Sequence, residues 1–314
     1  MCKSAHTKKN GRRHQVQLYK CCSCGHQFRP LRTVDHQQLW EMYAGGKQTI
    51  QQLATQLGVS ESTIKHRLRE IECDWKPSPL SGGGFVHLDT TYLSRNEGVL
   101  CALDSCTGEP LHLEFVKSET TWAYGNAIKS IESRGYKVQG VIMDGHKSLF
   151  KLWESYNVQM CHYHMRKIVE RYLTKKPKLL ASRELLTIVR GLHTASREEF
   201  EQSFAAWQMK WRETIQRRSL LKSGKRPYRH RRLRSAMHSI SAFLPHLFTF
   251  QSLQCQGMPN TNNKIEGTFT ALKSKLDCHH GMSSASRKRL VSGFFLALKA
   301  KHCICTRKEP PPKG

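Results

Sequence analysis

Alternating apolar and polar positions along "FVHLDTTYL" predict a β-strand that carries Phe85, His87 and Asp89 on one face. The following stretch, "GVLCALDSCTGEPLHLEFV", predicts two more strands, joined by a turn in which Asp104 is an ordinary turn residue. A fourth strand is predicted where "QGVIM" carries an apolar run directly into Asp144. Ligands collect at the carboxyl ends of such strands, so Asp144 is a candidate functional residue; a solvated turn aspartate is the alternative.

A helix is predicted between the third and fourth strands. "TTWAYGNAIKSIESRG" predicts a helix with an apolar face formed by Trp122, Ala127, Ile128 and Ile131. Three strands, a helix and a parallel strand predict a mixed α/β sheet. From about residue 175 to 250 the pattern is helical throughout, which predicts an all-α insertion.

The chain leaves this insertion at "PNTNNKIEGTFTALKSKL", which predicts another helix. Either Asn262 or Asn263 is in position to cap it, and Glu266 lies in its first turn. A glutamate there is favourable through the helix dipole alone, so an ordinary exposed Glu266 is the alternative to a functional one. The apolar stripe of this helix consists of Ile265, Phe269, Leu272 and Leu276.

Nearer the N-terminus, two short apolar stripes predict a helix-turn-helix. In "TIQQLATQLGVSESTIKHRLREI", Gly58 supplies the turn and Ser60 caps the second helix. The outward face of the second helix is polar and basic, which suits a DNA major groove; a helical hairpin with a solvated face is the alternative. The predicted DNA-contacting residues on this face are Ser62, Lys65, His66 and Arg69.

The charge balance supports a nucleic-acid partner. Among 314 residues, 51 Lys and Arg stand against 24 Asp and Glu, a net charge of +27, which favours a polyanion. A second predicted DNA-contacting set, for backbone phosphates, lies in "RPYRHRRLR" at Arg229, Arg231 and Arg232. No apolar stretch reaches the length of a membrane helix, and no secretory signal is visible, so we expect no membrane association and a cytoplasmic, nucleoid-associated location.

Cysteines near the N-terminus suggest a metal site. The segment "YKCCSCGHQF" has the form of a zinc-ribbon knuckle, with Cys21 and Cys24 as candidate zinc ligands. A ribbon needs a second pair, and only Cys2 stands upstream. The zinc ligand set is therefore open, with three alternatives. His6, His14 or Cys22 is the missing ligand, the missing ligand lies before the first residue, or the ribbon binds no zinc.

Asp89, Asp144 and Glu266 form a candidate catalytic set. Mg²⁺ and similar hard cations prefer oxygen ligands, and two such ions about 3.5–4 Å apart can assist phosphodiester cleavage when carboxylates on rigid elements hold them. Spacing alone leaves open whether Glu266 belongs to this set.

The chain from Asp89 to about residue 298 resembles the Mutator-type DDE transposases, and in particular their bacterial insertion-sequence members. The resemblance rests on "LDTTYL", "MDGHKSL", "QMCHYHMRK" and "NTNNKIEG", and its most specific mark is the pair Cys161 and His164. It implies an RNase H-like catalytic core interrupted by the helical insertion, with Asp89, Asp144 and Glu266 as catalytic residues binding two Mg²⁺ or Mn²⁺ ions. Cys161 and His164 are a family signature, for which packing and hydrogen bonding are favoured over metal ligation.

We therefore expect a transposase that binds the terminal repeats of its insertion sequence and performs Mg²⁺-dependent cleavage and strand transfer. Its partners would be double-stranded DNA, at element ends and target, and further copies of the chain in synapsis. The alternatives are a DNA-binding regulator with an inactive core and a simple RNase H-like nuclease. Trp207 either matches a family tryptophan that lies near transposon-end DNA or belongs to the core.

The predicted domains follow from these patterns. They are a zinc-ribbon-like segment (1–32), a helix-turn-helix domain (33–73), a linker (74–84), the first part of the core (85–172), the insertion (173–257), the C-terminal core helices with Glu266 (258–303) and a disordered tail (304–314).

Overall fold

The computed structural model describes the backbone of residues 4–13, 16–28, 35–145 and 156–306. Cys2, His14 and most of the predicted disordered tail lie outside these ranges. The chain divides into two compact units, Met1–Glu72 and Cys73–Gly314, which are described separately. No described helix combines the length and apolar composition that a membrane span needs.

The first unit begins with a small antiparallel sheet in the order β1-β2-β3. Its turn after Cys21 is closed by two backbone bonds, from Cys21 N to His26 O and from Gly25 N to Cys21 O, and Gly25 adopts a φ of +71° that favours glycine. The strands are β1 (Thr7–Arg13), β2 (Val16–Cys21) and β3 (Gln27–Phe28).

Helices complete this unit. The caps predicted for the helix-turn-helix are confirmed: Gly58 ends one helix in the left-handed conformation, and the Ser60 side chain accepts from Thr63 N–H at the start of the next. Leu53, Ile64 and Leu68 are buried between the helices. The helices are α1 (His36–Trp40), continued by a π-helical turn (Glu41–Gly45), α2 (Ile50–Leu57) and α3 (Glu61–Glu70).

The second unit is built on a five-stranded mixed sheet in the order β6-β5-β4-β7-β8, which confirms the mixed α/β class. β4 pairs antiparallel with β5 and parallel with β7, and β7 pairs parallel with β8. The strands are β4 (Gly83–Ser94), β5 (Glu97–Asp104), β6 (Pro110–Val116), β7 (Lys137–Met143) and β8 (Asn157–Met160).

Helices cover both faces of this sheet, as its apolar residues on both faces require. One face packs against α4 and the helical insertion, and the other packs mainly against the last two helices. The helices are α4 (Thr121–Ser133), α5 (His162–Leu173), α6 (Leu180–Arg190), α7 (Arg197–Lys210), α8 (Arg212–Gln216), α9 (Arg231–Leu247), α10 (Asn263–Leu276) and α11 (Ser284–Thr306).

Two predictions for this unit are wrong. Trp122 does not belong to the apolar face of α4, since it is 72% exposed in the first turn while Ala127, Ile128 and Ile131 are buried. The insertion is not wholly helical, because between α8 and α9 the chain folds back on itself with Arg218 and Tyr228 paired antiparallel. The sequence pattern of this stretch is helical, but Gly224, at φ +75°, allows the chain to reverse its direction there.

Candidate active site at the carboxyl edge of the sheet

Asp89, in the middle of β4, and Asp144, directly after β7, lie where the parallel pairing of these two strands ends. The register pairs His87 of β4 with Ile142 of β7, so two residues further along each chain Asp89 and Asp144 stand side by side. Adjacent strands are separated by about 4.8 Å. Asp89 is buried and Asp144 is half-buried, and the two carboxylates therefore share one edge of the sheet.

Glu266 reaches the same edge from α10. Ile265, Phe269 and Leu272 are buried against the sheet face formed by Val99 and its neighbours, which fixes the helix, and Glu266 occupies the partly exposed side of its first turn. Asn262 takes the N-cap position, but its side chain makes no capping bond. Instead its Oδ1 pairs with His87 Nδ1 at 2.7 Å, so the predicted capping role of Asn262 is replaced by a tie between α10 and β4.

Cys161 and His164 connect α5 to Glu266. The Asn262 N–H donates to Cys161 Sγ at 3.2 Å, and His164 Nε2 lies 3.2 Å from Glu266 Oε1. Cys161 is itself held at the sheet edge, because its N–H donates to Met143 O, next to Asp144. The signature pair thus joins the start of α10 to the end of β7 and contacts the glutamate directly.

Like charges crowd this edge. Burial first, and then the charges of Asp144 and Glu266, raise the pKa of Asp89 well above its ordinary value, although a bond from Thr90 N–H at 2.8 Å opposes the shift. The pKa of Glu266 is lowered by its bond with His164. Burial disfavours a charged His164, but the Cys161 and Glu266 side chains favour it more strongly, so its pKa is raised.

His87 has a different role from His164. Burial lowers the pKa of His87 to about 4, so its ring is neutral at pH 7 and its Nδ1–H can donate to Asn262 Oδ1. Sequence reasoning placed His87 on the face of Asp89 but assigned it no function, and it did not use Asn262 beyond the cap. Both polar residues are almost fully buried, which no pattern of neighbouring residues could reveal.

The donor set at this edge fits a hard divalent cation by chemistry. Three carboxylates supply oxygen ligands, and the pKa of Asp89 is raised by burial first and then by the neighbouring carboxylates, whose charge a cation would offset. Over the described ranges, no three His, Cys, Asp or Glu side chains are grouped closely enough to hold a metal ion. Glu266 is bonded to His164 in this conformation, so metal binding requires side-chain movement.

The candidate zinc ligands Cys21 and Cys24 lie in the knuckle of the small sheet, where Cys21 is buried and Cys24 exposed. Cys22 is also exposed, and its N–H donates to His6 O at 2.9 Å, which brings His6 next to the knuckle. Cys2 lies outside the described residues, and zinc binding stays a prediction.

The predicted DNA-contacting residues are exposed. On α3 these are Ser62, Lys65, His66 and Arg69, and in the insertion they are Arg229, Arg231 and Arg232. Trp207, by contrast, is buried in the core, stacks on Phe204 and donates its indole N–H to Ala181 O at 2.9 Å. The core interpretation of Trp207 is therefore the better one.

No protein-family model matches this chain, and no characterised protein is significantly similar to it. The functional interpretation therefore depends on the geometry described above and on the motifs in the sequence.

Proposed function

We propose that the chain is a DNA transposase of the DDE type, with an RNase H-like core in its second unit. The observation that carries the proposal is the convergence of Asp89, Asp144 and Glu266 at one sheet edge, close enough for two of them to raise the pKa of the third. Three carboxylates brought together at this edge repel one another, and a bound cation would relieve the repulsion that His164 does not offset. The order of the mixed sheet, with Asp89 on β4 and Asp144 directly after the neighbouring parallel strand β7, supports the RNase H-like assignment.

The residues take distinct roles in this reaction. Asp89 and Asp144 would hold the Mg²⁺ ions, and Glu266 would complete the ligand set. The ions, when bound, supply Lewis-acid stabilisation of the attacking and leaving oxygens of the phosphodiester. Asn262, held by His87 and Cys161, positions the helix that carries Glu266, while His164 orients the glutamate before metal binding. The exposed basic residues bind the phosphates of the element end.

The N-terminal unit supplies end recognition in this proposal. Its α3 exposes Ser62, Lys65, His66 and Arg69 after a tight turn, as expected for a helix that enters the major groove. The small sheet, with or without zinc, would contact the same DNA. Synapsis of two ends implies an oligomer.

The test is a cleavage and strand-transfer assay on duplex DNA carrying the end of the element that encodes the chain, with Mg²⁺ or EDTA. We expect Mg²⁺-dependent nicking at the end and joining to a second duplex, both lost in Asp144→Asn. The matched control is Asp277→Asn, an exposed aspartate at the far end of α10. Cleavage that persists in Asp144→Asn would refute the proposed site.

The second candidate is a DNA-binding regulator with an inactive core. The observation that favours it is the contact between His164 and Glu266, which occupies one carboxylate of the set. End binding without cleavage, equal in wild type and Asp144→Asn, would support the regulator. Cleavage without joining would instead support a simple nuclease.

A further inference from the structure

The turn between α8 and α9 forms a hairpin of unusual charge. Antiparallel backbone bonds join Arg229 N to Arg217 O at 2.8 Å, Ser219 N to Pro227 O at 2.9 Å and Leu221 N to Lys225 O at 3.0 Å. We name residues 217–229 the basic hairpin. Its strands bring side chains together that are up to twelve positions apart in the sequence.

Among the residues that the structure describes, no carboxylate is paired with the cations of the basic hairpin. Residues 217–234 contain nine Lys and Arg and no Asp or Glu, and the chain has no acid between Glu213 and Glu266. In the described part of the chain, none of these nine cations lies within 4.0 Å of a carboxylate, whereas Lys210 and Arg197 of α7 are each paired with a glutamate. Burial and the neighbouring Arg229 and Arg217 lower the pKa of His230, as a positive field requires.

The arginines at the base of the hairpin are held in place rather than disordered. Tyr228 lies between two guanidinium groups, with the Arg218 carbon 4.1 Å and the Arg234 carbon 3.6 Å from the ring centre. Arg218 also donates to the Tyr228 hydroxyl at 2.9 Å and to Arg226 O at 2.9 Å. This stack fixes the hairpin to α9 and presents its cations in a defined arrangement.

The start of α9 adds to the unfavourable charge. Arg231, Arg232 and Arg234 lie in the first turn, where the helix dipole is positive and cations are destabilising. Repulsion of this kind is offset when a polyanion binds.

Two exposed leucines lie beside the turn of the hairpin. Leu220 is 70% exposed and Leu221 48% exposed, and Leu221 precedes Lys222 and donates its N–H to Lys225 O at 3.0 Å. Contact with phosphates alone would leave these leucines exposed to water. A DNA groove, in contrast, offers sugars and base edges between two rows of phosphates, against which the leucines can be buried.

We propose that the basic hairpin inserts into a groove of duplex DNA, with its cations on the flanking phosphates and Leu220 and Leu221 as an apolar wedge. The inference deepens the proposed function, since it assigns a DNA-deforming role to the insertion. It does not depend on catalysis, and its test uses the full chain carrying Asp144→Asn so that no DNA is cut.

The first measurement is affinity for a short duplex as a function of salt. Replacing Lys222, Lys225 and Arg226 by Gln removes three candidate phosphate contacts, each worth about 0.9 in the slope of log K against log salt. We therefore expect a slope reduced by roughly 2–3 and an affinity lower on the order of 100-fold or more at 0.1 M salt. The matched control replaces Arg95, Lys117 and Lys129, three exposed cations elsewhere in the unit, by Gln.

The second measurement is DNA bending, followed by energy transfer between dyes on the two ends of the duplex. Leu220→Ser with Leu221→Ser is expected to abolish bending while leaving the salt slope unchanged. The matched control is Met209→Ser with Leu253→Ser, two side chains that are 81% and 88% exposed. Circular dichroism of every variant verifies the fold.

The results of these measurements test the DNA contact, the apolar wedge and the choice of DNA one by one. An unchanged salt slope in the hairpin charge variant, or equal losses in its control, overturns the DNA contact. Bending that survives the leucine variant overturns the wedge. Binding to anionic phospholipid vesicles through the same leucines, without binding to the duplex, overturns the choice of DNA. Loss of cleavage in Asp144→Asn tests the active site separately, so the two proposals can fail independently.

Discussion

The carboxylate edge of the sheet and the basic hairpin are both clusters of like charge, and they differ in how they are held. Asp89, Asp144 and Glu266 are fixed by two parallel strands and a packed helix, and Asp89 is almost fully buried. The cations of the hairpin are exposed on a connection, where Arg218 stacks on Tyr228 together with Arg234 of α9. A buried cluster restricts its ligand to a small ion at defined positions, whereas an exposed one suits an extended polyanion whose phosphates allow several arrangements.

The largest expected effect comes from Asp89→Asn. We expect cleavage to fall on the order of 10³-fold or more, since a metal ligand is lost, while stability at neutral pH rises. The raised pKa means that the folded state favours the protonated acid, so the contribution of Asp89 to stability is full below about pH 3.9 and is lost as pH rises through the folded pKa.

The measurement is the melting temperature of both proteins across pH, with and without Mg²⁺. The melting temperature of Asp89→Asn should exceed that of the wild type above about pH 4, by about 2–4 °C for each kcal/mol of stability difference. Mg²⁺ should reduce this difference by stabilising the wild type. A variant less stable than wild type at pH 7 would show that the carboxylate is satisfied and the cluster unstrained.

The next effect is expected from Cys161→Ala. It removes the acceptor of the buried Asn262 N–H, which costs about 1–3 kcal/mol and displaces the start of α10. We expect cleavage to fall roughly 10–100-fold with DNA affinity unchanged, the reverse of the pattern for the hairpin charge variant. Cys161→Ser, which keeps an acceptor, should restore part of the activity, and equal losses in Ala and Ser would contradict a positioning role through this bond.

A smaller effect, on stability, is expected from Glu97→Gln, because Glu97 is paired with the positively charged Arg287. Glu97 of β5 accepts from Ser284 at 2.7 Å and is paired with Arg287, which ties α11 to the sheet. Although burial opposes the shift, these bonds lower the pKa of Glu97, so its contribution exists above the unfolded pKa near 4.3 and is lost as pH falls through the folded value.

We expect Glu97→Gln to cost about 1–3 kcal/mol at pH 7 in denaturant unfolding. The cost should disappear at pH 3, and cleavage per folded molecule should stay unchanged. A cost that is independent of pH would mean that packing, not charge, holds α11 at this point.

The smallest effect is expected from Lys65→Gln on α3. Lys65 lies 3.5 Å from Glu61, and His66 lies 3.3 Å from Glu70, so part of the charge on this face is already paired. We expect the salt slope to change by less than the 0.9 of a full phosphate contact, in contrast with the hairpin. A change of the full 0.9 in the salt slope would show that Lys65 leaves Glu61 to bind a phosphate.

Local patterns in the sequence predicted most of the elements. The strands around Asp89 and Asp144, the Gly58 turn and the Ser60 cap depend on residues within a few positions of one another, and these predictions are confirmed. Motifs suggested the three carboxylates as a set, which stays a prediction, but spacing alone could not place Glu266 beside aspartates that lie 122 and more positions earlier.

Tertiary structure alone decided how these residues are used. The exposure of Trp122 and the burial of Trp207 depend on which helix face meets the sheet, and the diversion of Asn262 from its cap depends on the position of His87, 175 residues away. The stack of Arg218, Tyr228 and Arg234 likewise required the chain to reverse at Gly224. Propensity and periodicity act over one or two helical turns, whereas burial and charge coupling depend on neighbours that only the folded chain brings into contact.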